Sequence, residues 1–389
     1  MHPASVTADL VSARDVVRRV CGDALRALFG PQHGFAGEKQ DNMIESGHGV
    51  DPELGIPVHS LYSETRSPSP EMLEDIDVLL VDLQDVGTRV YTFEWTTALA
   101  LEACAAAGKE VVVLDRPNPL GGEALEGNLI REGYTSFVGL YPVPMRHGLT
   151  LGELAALVNL RMAGGDGGAV ERGDGVAVRC PGRCALRVVP MEGWRRRMLF
   201  PDTGLPWVLP SPNMPTFETA VVYPGQVLLE GTNVSEGRGT TRPLELFGAP
   251  DIDARAVIKE MASLAPQWLG GCRLRDCWFE PTFHKHVGKL CNGIQIHTEG
   301  PDYDHQAFRP WRIQALAFKA IRRLYPDYQL WRNFPYEYER GKLAIDVING
   351  GSLLREWVDD ASATPQDLDA LAMQDEQAWL SDRQELLRY

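Results

Sequence analysis

Two stretches of this chain, Ile76-Asp-Val-Leu-Leu-Val-Asp82 and Glu110-Val-Val-Val-Leu-Asp115, are nearly unbroken apolar runs of strand length. A run that is apolar at almost every position suits a strand buried on both faces. Such strands belong to parallel sheets covered by helices on each side. Between the two runs, Thr96 to Ala107 is rich in Ala and Leu and is stopped by Gly108, which reads as a helix ended by a left-handed glycine. The same alternation extends both ways. Ser12–Val20 reads as a short helix, Ala24–Phe29 as a strand, and Ala185–Pro190 as another strand. Thr150, with Glu153 three residues on, forms a capping box that opens a helix to about Met162. This βαβ order predicts an α/β fold built on a doubly wound, mostly parallel sheet.

The texture changes after Pro201–Pro215, a segment too dense in proline for helix or central strand. Beyond it Glu218–Glu230 is apolar with one Pro-Gly and is left unassigned. Asp253–Leu264 and Pro310–Leu324 have helical spacing, Cys272–Phe283 and Gly293–His297 look like strands, and Thr364–Leu387 reads as two helices. A domain boundary is therefore expected near residue 215. The 389 residues are 44% hydrophobic with a net charge of −15, which allows two buried cores and argues against a nucleic-acid groove. No apolar run is long enough for a membrane helix, and the start lacks the basic and apolar regions of a signal peptide. Seven irregularly spaced cysteines fit free thiols in a reducing compartment better than disulfides. The expected location is cytoplasmic.

Four polar clusters carry the chemistry. The first, from Gln32 to Glu45, releases His33, the amides Gln32, Gln40 and Asn42, and the carboxylates Glu38, Asp41 and Glu45 straight after Gly30-Pro31. The second, Asp82-Leu-Gln-Asp85-Val-Gly-Thr-Arg89-Val-Tyr91-Thr92, and the third, Asp115-Arg116-Pro-Asn118, each follow a buried strand. Open α/β sheets bind ligands at that edge, so these three are expected to converge. The plainer alternative is that each Asp caps a helix or turn and each Arg pairs with it. The fourth cluster, Glu230-Gly-Thr-Asn233-Val-Ser-Glu236-Gly-Arg238-Gly, places charged and amide groups between glycines. It matches neither a phosphate-binding loop nor a dinucleotide fingerprint, and no cofactor is expected. His284-Lys-His286 with Cys291 lacks a carboxylate at ligand spacing, so a structural role is expected there and no metal.

Six ordered segments resemble the NamZ-type exo-β-N-acetylmuramidase family. They are Phe29-Gly-Pro-Gln-His-Gly34, Val81 to Thr92, Leu114-Asp-Arg-Pro-Asn-Pro-Leu-Gly-Gly122, Pro142 to Thr150, Pro210-Ser-Pro-Asn-Met-Pro215, and Leu229 to Thr240. The resemblance implies a Rossmann-like N-terminal domain, residues 1–215, joined to a smaller α+β C-terminal domain, residues 216–389, with the active cleft between them. It also implies that His2-Pro-Ala-Ser-Val follows the family's first strand, which is missing here. If the true start lies upstream, the location would be periplasmic. The implied activity is release of N-acetylmuramic acid from the non-reducing end of peptidoglycan fragments, a small-molecule substrate, with no membrane or nucleic-acid partner.

Glycoside cleavage takes a proton donor and a second carboxyl group, or the substrate's own acetamide. The resulting assignment gives the proton to Glu38 or Glu230 and the assistance of water or acetamide to Asp85 or Glu236. His33 and Gln32 hydrogen-bond the sugar or the acid, and Arg238 or Arg89 takes the lactyl carboxylate. Tyr91, Thr92, Asp115, Arg116, Asn118, Asn213 and Asn233 complete the binding set. Many family members carry Glu at the position of Gln32, and an amide cannot act as an acid. The alternatives are a hydrolase of a related amino sugar, such as an N-acetylglucosaminidase, and a muramyl-binding protein without turnover.

Overall fold

The computed structural model describes residues 1–41, 43–164, 169–171, 177–179 and 182–389. Asn42 and Cys180 lie outside the described residues. In the N-terminal half, β1 (Leu28–Gly30) runs parallel to β3 (Pro57–Ser60), which β2 (Gly49–Val50) flanks antiparallel. A second sheet places β4 (Val78–Val81) parallel to β5 (Glu110–Leu114), and β5 parallel to a strand at Ala185–Val189. Between those last two strands in sequence lies a hairpin, Ala169–Glu171 with Ala177–Arg179.

The fold is mixed α/β with parallel pairing where the apolar runs predict it. Among the described residues of the N-terminal half, however, the parallel strands are divided between two separate three-stranded sheets rather than joined in one ladder. Residues 1–5 pass between the strand ends: the Met1 amino group donates to Phe29 O at 3.0 Å, and Ser5 Oγ donates to Asp82 O at 2.6 Å. These contacts tie the two sheets without pairing them.

Helices follow their local signals. One helix spans Phe93–Ala107 and ends at Gly108 with φ +67°. The helix Leu151–Gly164 starts with the expected reciprocal cap, Thr150 N to Glu153 Oε2 at 3.0 Å and Glu153 N to Thr150 Oγ1 at 3.2 Å. The unassigned stretch after 216 is a helix, Phe217–Gln226, continued by a 3₁₀ turn, Val227–Gly231. Gly225 lets it press against Pro310, whose carbonyl a Cβ there would strike. The tail differs from expectation. A single helix, Pro365–Asp382, runs through the second start signal at Ser381-Asp382, and two short helices, Ala344–Asn349 and Leu353–Asp359, precede it.

In the C-terminal half, an antiparallel sheet of Leu246–Ala249, Arg273–Phe279 and Cys291–His297 packs with helices around Pro310–Leu324, whose residues from Pro310 to Ile321 are all buried. Glu126 reaches across from the N-terminal half to cap that helix, accepting from Trp311 N at 3.1 Å and Arg312 N at 3.0 Å. A buried carboxylate at a helix N-terminus satisfies donors that have no partner within the helix. Apolar residues from both halves join one continuous core. No helix among the described residues is long and apolar enough to cross a membrane, and the six described cysteines are unpaired.

Candidate active site

A narrow cleft opens where the two halves meet. Gln32, His33, Tyr91, Thr92, Ser211 and Asn213 line one side, and Tyr223, Glu230, Arg238, Tyr336 and Glu337 the other. His33 holds φ +74°, a strained conformation for a residue with a side chain. Its Nδ1–H donates to Lys39 O at 2.9 Å, and burial lowers its pKa to about 4. The ring is therefore neutral near pH 7 with Nε2 unprotonated, a hydrogen-bond acceptor. Thr92 Oγ1 donates to Gln32 Oε1 at 2.6 Å, which joins the first two clusters. Asn213 is fixed by Gln40, whose Nε2 donates to its Oδ1 at 3.1 Å.

Across the cleft, Glu230 accepts from Arg238 Nη2 at 2.5 Å and from Tyr336 OH at 2.7 Å. Behind it Glu236 is fully buried. It meets Lys285 Nζ at 2.7 Å, His284 Nδ1 at 3.1 Å and Arg238 Nε at 3.2 Å. Burial alone would raise the Glu236 pKa, but Lys285, His284 and Arg238 together hold it well below the usual carboxylate range. Lys285 also donates to the carbonyls of Leu229, Thr232 and Val234, so it locks the loop that carries Glu230 and Arg238. The His-Lys-His segment is thus structural, with His286 Nε2 bound to Asn233 O at 2.7 Å.

Several residues singled out in the sequence stand elsewhere. Arg89 is buried outside the cleft lining, and all four of its guanidinium bonds go to main-chain carbonyls. Asp115 accepts from Gly152 N at 2.8 Å and Thr150 Oγ1 at 2.7 Å; it anchors a helix start, the plainer alternative. Arg116 pairs with Asp82, and Asn118 Nδ2 donates to Leu149 O at 2.8 Å. Asp115 and Arg116 border a second, more apolar hollow beside helix Ala13–Cys21. The third cluster therefore does not join the cleft. Glu38 is exposed beside Lys39, and Asn233 donates to Gln329 O at 2.6 Å near the surface.

Asp85 lies in a fully buried trio with Glu94 and His147, whose donor atoms lie within 4.8 Å of one another. His147 Nδ1 accepts from Leu149 N at 3.1 Å, so the neutral ring carries its proton on Nε2, facing Glu94 Oε1 at 2.5 Å. A metal at Nε2 would require Nδ1 to donate instead. The donor set therefore suits a shared proton better than a cation. Burial raises both carboxyls well above their ordinary values, the Asp85 carboxyl further through its neighbour Glu94. A carboxyl raised on folding loses stability as pH climbs from its unfolded to its folded value, by about 1.4 kcal/mol per pH unit per proton. Thermal melts of Asp85→Asn between pH 5 and 9 are expected to fall less steeply than those of the parent. Parallel curves would refute the shared proton.

Glu337 was absent from the sequence-based candidates. It sits in a turn closed by a bridge between Tyr336 and Glu339, outside any strand end, held by Tyr62 OH at 2.9 and 3.0 Å from its two oxygens. Burial pushes its pKa up to about 7, and its partners Tyr62 and Arg66 only partly offset this. The pattern Tyr336-Glu337-Tyr338, an acid between two aromatic residues in a turn, was the one local signal available.

Comparison with known proteins bears on this geometry. Residues 1–218 match the profile of the exo-β-N-acetylmuramidase NamZ N-terminal domain, and residues 221–389 match its C-terminal counterpart. The chain belongs to the NamZ family. It is similar to the peptidoglycan β-N-acetylmuramidase NamZ of Bacillus subtilis (strain 168), with 44% identity over 326 residues, 84% of this chain and 72% of that protein. Two crystal structures of DUF1343 family proteins from Bacteroides fragilis NCTC 9343 share the fold. They have TM-scores of 0.83 and 0.73 and identities of 31% and 25%, each covering 100% of this chain and 92% of the other. In this NamZ-family chain, then, the cleft lies where the two matched segments meet.

Proposed function

We propose that this protein is a glycoside hydrolase of the NamZ type, an exo-β-N-acetylmuramidase that releases N-acetylmuramic acid from the non-reducing end of peptidoglycan fragments. The observation that carries the reading is the make-up of the cleft. Gln32, His33, residues 90–93, Val138, Ser211, Asn213 and Met214 come from one matched segment, and Tyr223, Glu230, Arg238, Leu244, Tyr336 and Glu337 from the other. A terminal sugar would be enclosed by both halves, as exo cleavage needs.

In this reading His33 Nε2, Asn213 and Tyr91 bind sugar hydroxyls. Arg238, the only guanidinium in the cleft lining among the described residues, takes the lactyl carboxylate. Glu230, oriented by Arg238 and Tyr336, holds the 2-acetamido group so that its oxygen can assist at the anomeric carbon. The test is incubation with 4-nitrophenyl N-acetylmuramide and its N-acetylglucosamine analogue. Nitrophenol release from the muramide and not from the glucosaminide is the expected result. Release from the glucosaminide alone would indicate a related amino-sugar hydrolase. Binding of the muramide without release would indicate a capture protein.

A further inference from the structure

Glu337 lines two hollows at once. The inner one is the cleft described above. The outer one is wider and is walled by Ser63 to Ser67, Phe137, Leu140, Tyr338 and Glu339. Glu337 is the only residue common to both linings among the described residues. The acid of a glycosidase must reach the oxygen that bridges the retained sugar and the departing one, so it belongs where the two subsites meet.

The surroundings fit that task. Among the described residues, two carboxyl groups line the inner cleft, Glu230 and Glu337. Glu230 is ion-paired with Arg238 at 2.5 Å. Glu337 makes no ion pair among the described residues; its hydrogen-bond partners are the Tyr62 phenol and the Gln32 amide, with Nε2 at 3.5 Å, while the nearby charges that act on it are Arg66, which favours its charged form, and Glu230, which opposes it. Neutral donors position a carboxyl group without forcing its proton off as strongly as a guanidinium would. The turn is strained as well, since Glu337 and Tyr338 take φ +45° and +67° in succession. A two-residue turn between the bridged Tyr336 and Glu339 requires left-handed backbone at both central positions, and side chains there are costly. The outer hollow offers a flat aromatic surface beside a cation. Arg66 lies 3.9 Å from the Tyr62 ring centroid and 4.9 Å from that of Tyr338.

We propose that Glu337 is the general acid of this enzyme and that the outer hollow between Arg66, Phe137 and Tyr338 receives the departing sugar. This rests on the hydrolase reading above. Glu337 gives its proton to the bridging oxygen as the bond to the anomeric carbon breaks. That bond's electron pair stays on the oxygen, which leaves as an alcohol. Water then adds at the anomeric carbon, directly or after the acetamide oxygen, and its proton returns to the Glu337 carboxylate. Gln32, an amide, cannot take this part, but its position beside Glu337 makes a carboxyl there a candidate substitute.

The test compares Glu337→Gln with the parent on two substrates. One is a muramyl disaccharide, whose sugar leaving group needs a proton. The other is 4-nitrophenyl N-acetylmuramide, whose phenolate needs little help. Cleavage of the disaccharide is expected to fall about 10²–10⁴-fold with KM nearly unchanged, and nitrophenol release is expected to fall far less. The parent should lose activity as pH rises through about 7, because the acid must be protonated, and the variant should lack that limb. Adding Gln32→Glu to Glu337→Gln should restore part of the disaccharide activity. Should Glu337→Gln fail to fold, Tyr62→Phe carries the test. Removing a donor to the carboxylate should move the alkaline limb to higher pH.

Equal loss on both substrates with the pH profile retained would overturn the assignment, as would full disaccharide activity in Glu337→Gln or an unmoved limb in Tyr62→Phe. A parent that cleaves neither substrate sinks the hydrolase reading and this assignment together. An active parent with an equally active Glu337→Gln sinks only the second.

Discussion

Arg89→Ala is expected to cost on the order of 4 kcal/mol of folding stability or more, enough to leave a domain of ordinary stability largely unfolded. The guanidinium is 1% exposed. Nη1 donates to Asn128 O at 2.7 Å and Val143 O at 2.9 Å, while Nη2 donates to Ile348 O at 3.2 Å and Asn349 O at 2.7 Å. One side chain thus fastens two loops of the N-terminal half to the end of helix Ala344–Asn349. Truncation would deprive those buried carbonyls of a charged donor, at about 1–3 kcal/mol for each one left unsatisfied, and would open a cavity. Asn349 O keeps a bond from Asn128 Nδ2 at 2.7 Å, so the four losses do not simply add. Burial works the other way, since it lowers the Arg89 pKa to about 9 and is relieved when the charge goes. Four bonds against one desolvation penalty still leave a net loss. Arg89→Lys should recover little, because a single ammonium cannot span two pairs of acceptors on opposite sides. Urea unfolding checks this, and a midpoint within the error of the parent's would refute the fastening role.

The same residue shows where sequence reading stopped. Asp82 to Thr92 is conspicuous after a buried strand, and its Tyr91 and Thr92 do reach the cleft. Arg89 does not, because a guanidinium gripping carbonyls and one facing a ligand leave the same letter in the chain. Asp115 and Arg116 were misplaced for a related reason. Capping the helix that begins at Leu151 and pairing with Asp82 use residue types that a binding site also uses. Local signals carried well: the apolar runs, the Thr150 box and the helix Pro310–Leu324 needed no distant information. The helix Phe217–Gln226 was missed because Pro224-Gly225 reads as a break, and only its packing against Pro310 shows why the glycine is there. Glu337 was missed because its surroundings come from Gln32 and Tyr62, about three hundred residues away along the chain. Burial that raises a carboxyl's pKa is a tertiary property, and no spacing rule announces it.

Glu236→Ala should be comparably damaging, for an electrostatic reason. The carboxylate stands among Lys285, Arg238 and His284, all largely buried. Its removal leaves Lys285 and Arg238 with Glu230 as the remaining anion in contact, one positive charge in excess away from water. Breaking a buried charge cluster by deleting one member costs about 3–5 kcal/mol, because the partners stay behind uncompensated. Glu236→Gln keeps the volume and one acceptor oxygen but not the charge, so it should retain only a small part of the difference. The pH dependence separates this from a packing defect. The Glu236 pKa is depressed on folding, so its contribution is complete above the unfolded value of about 4.3 and drains away as pH falls toward the folded one. The stability gap between the parent and Glu236→Gln should therefore be flat from pH 5 to 8 and narrow below pH 4. Activity should suffer in KM before kcat, since freeing Arg238 disturbs the group that grips the lactyl carboxylate and leaves Glu337 in place. A gap that stays constant into acid would mean that the loss comes from shape, and that the charges around Glu236 contribute nothing.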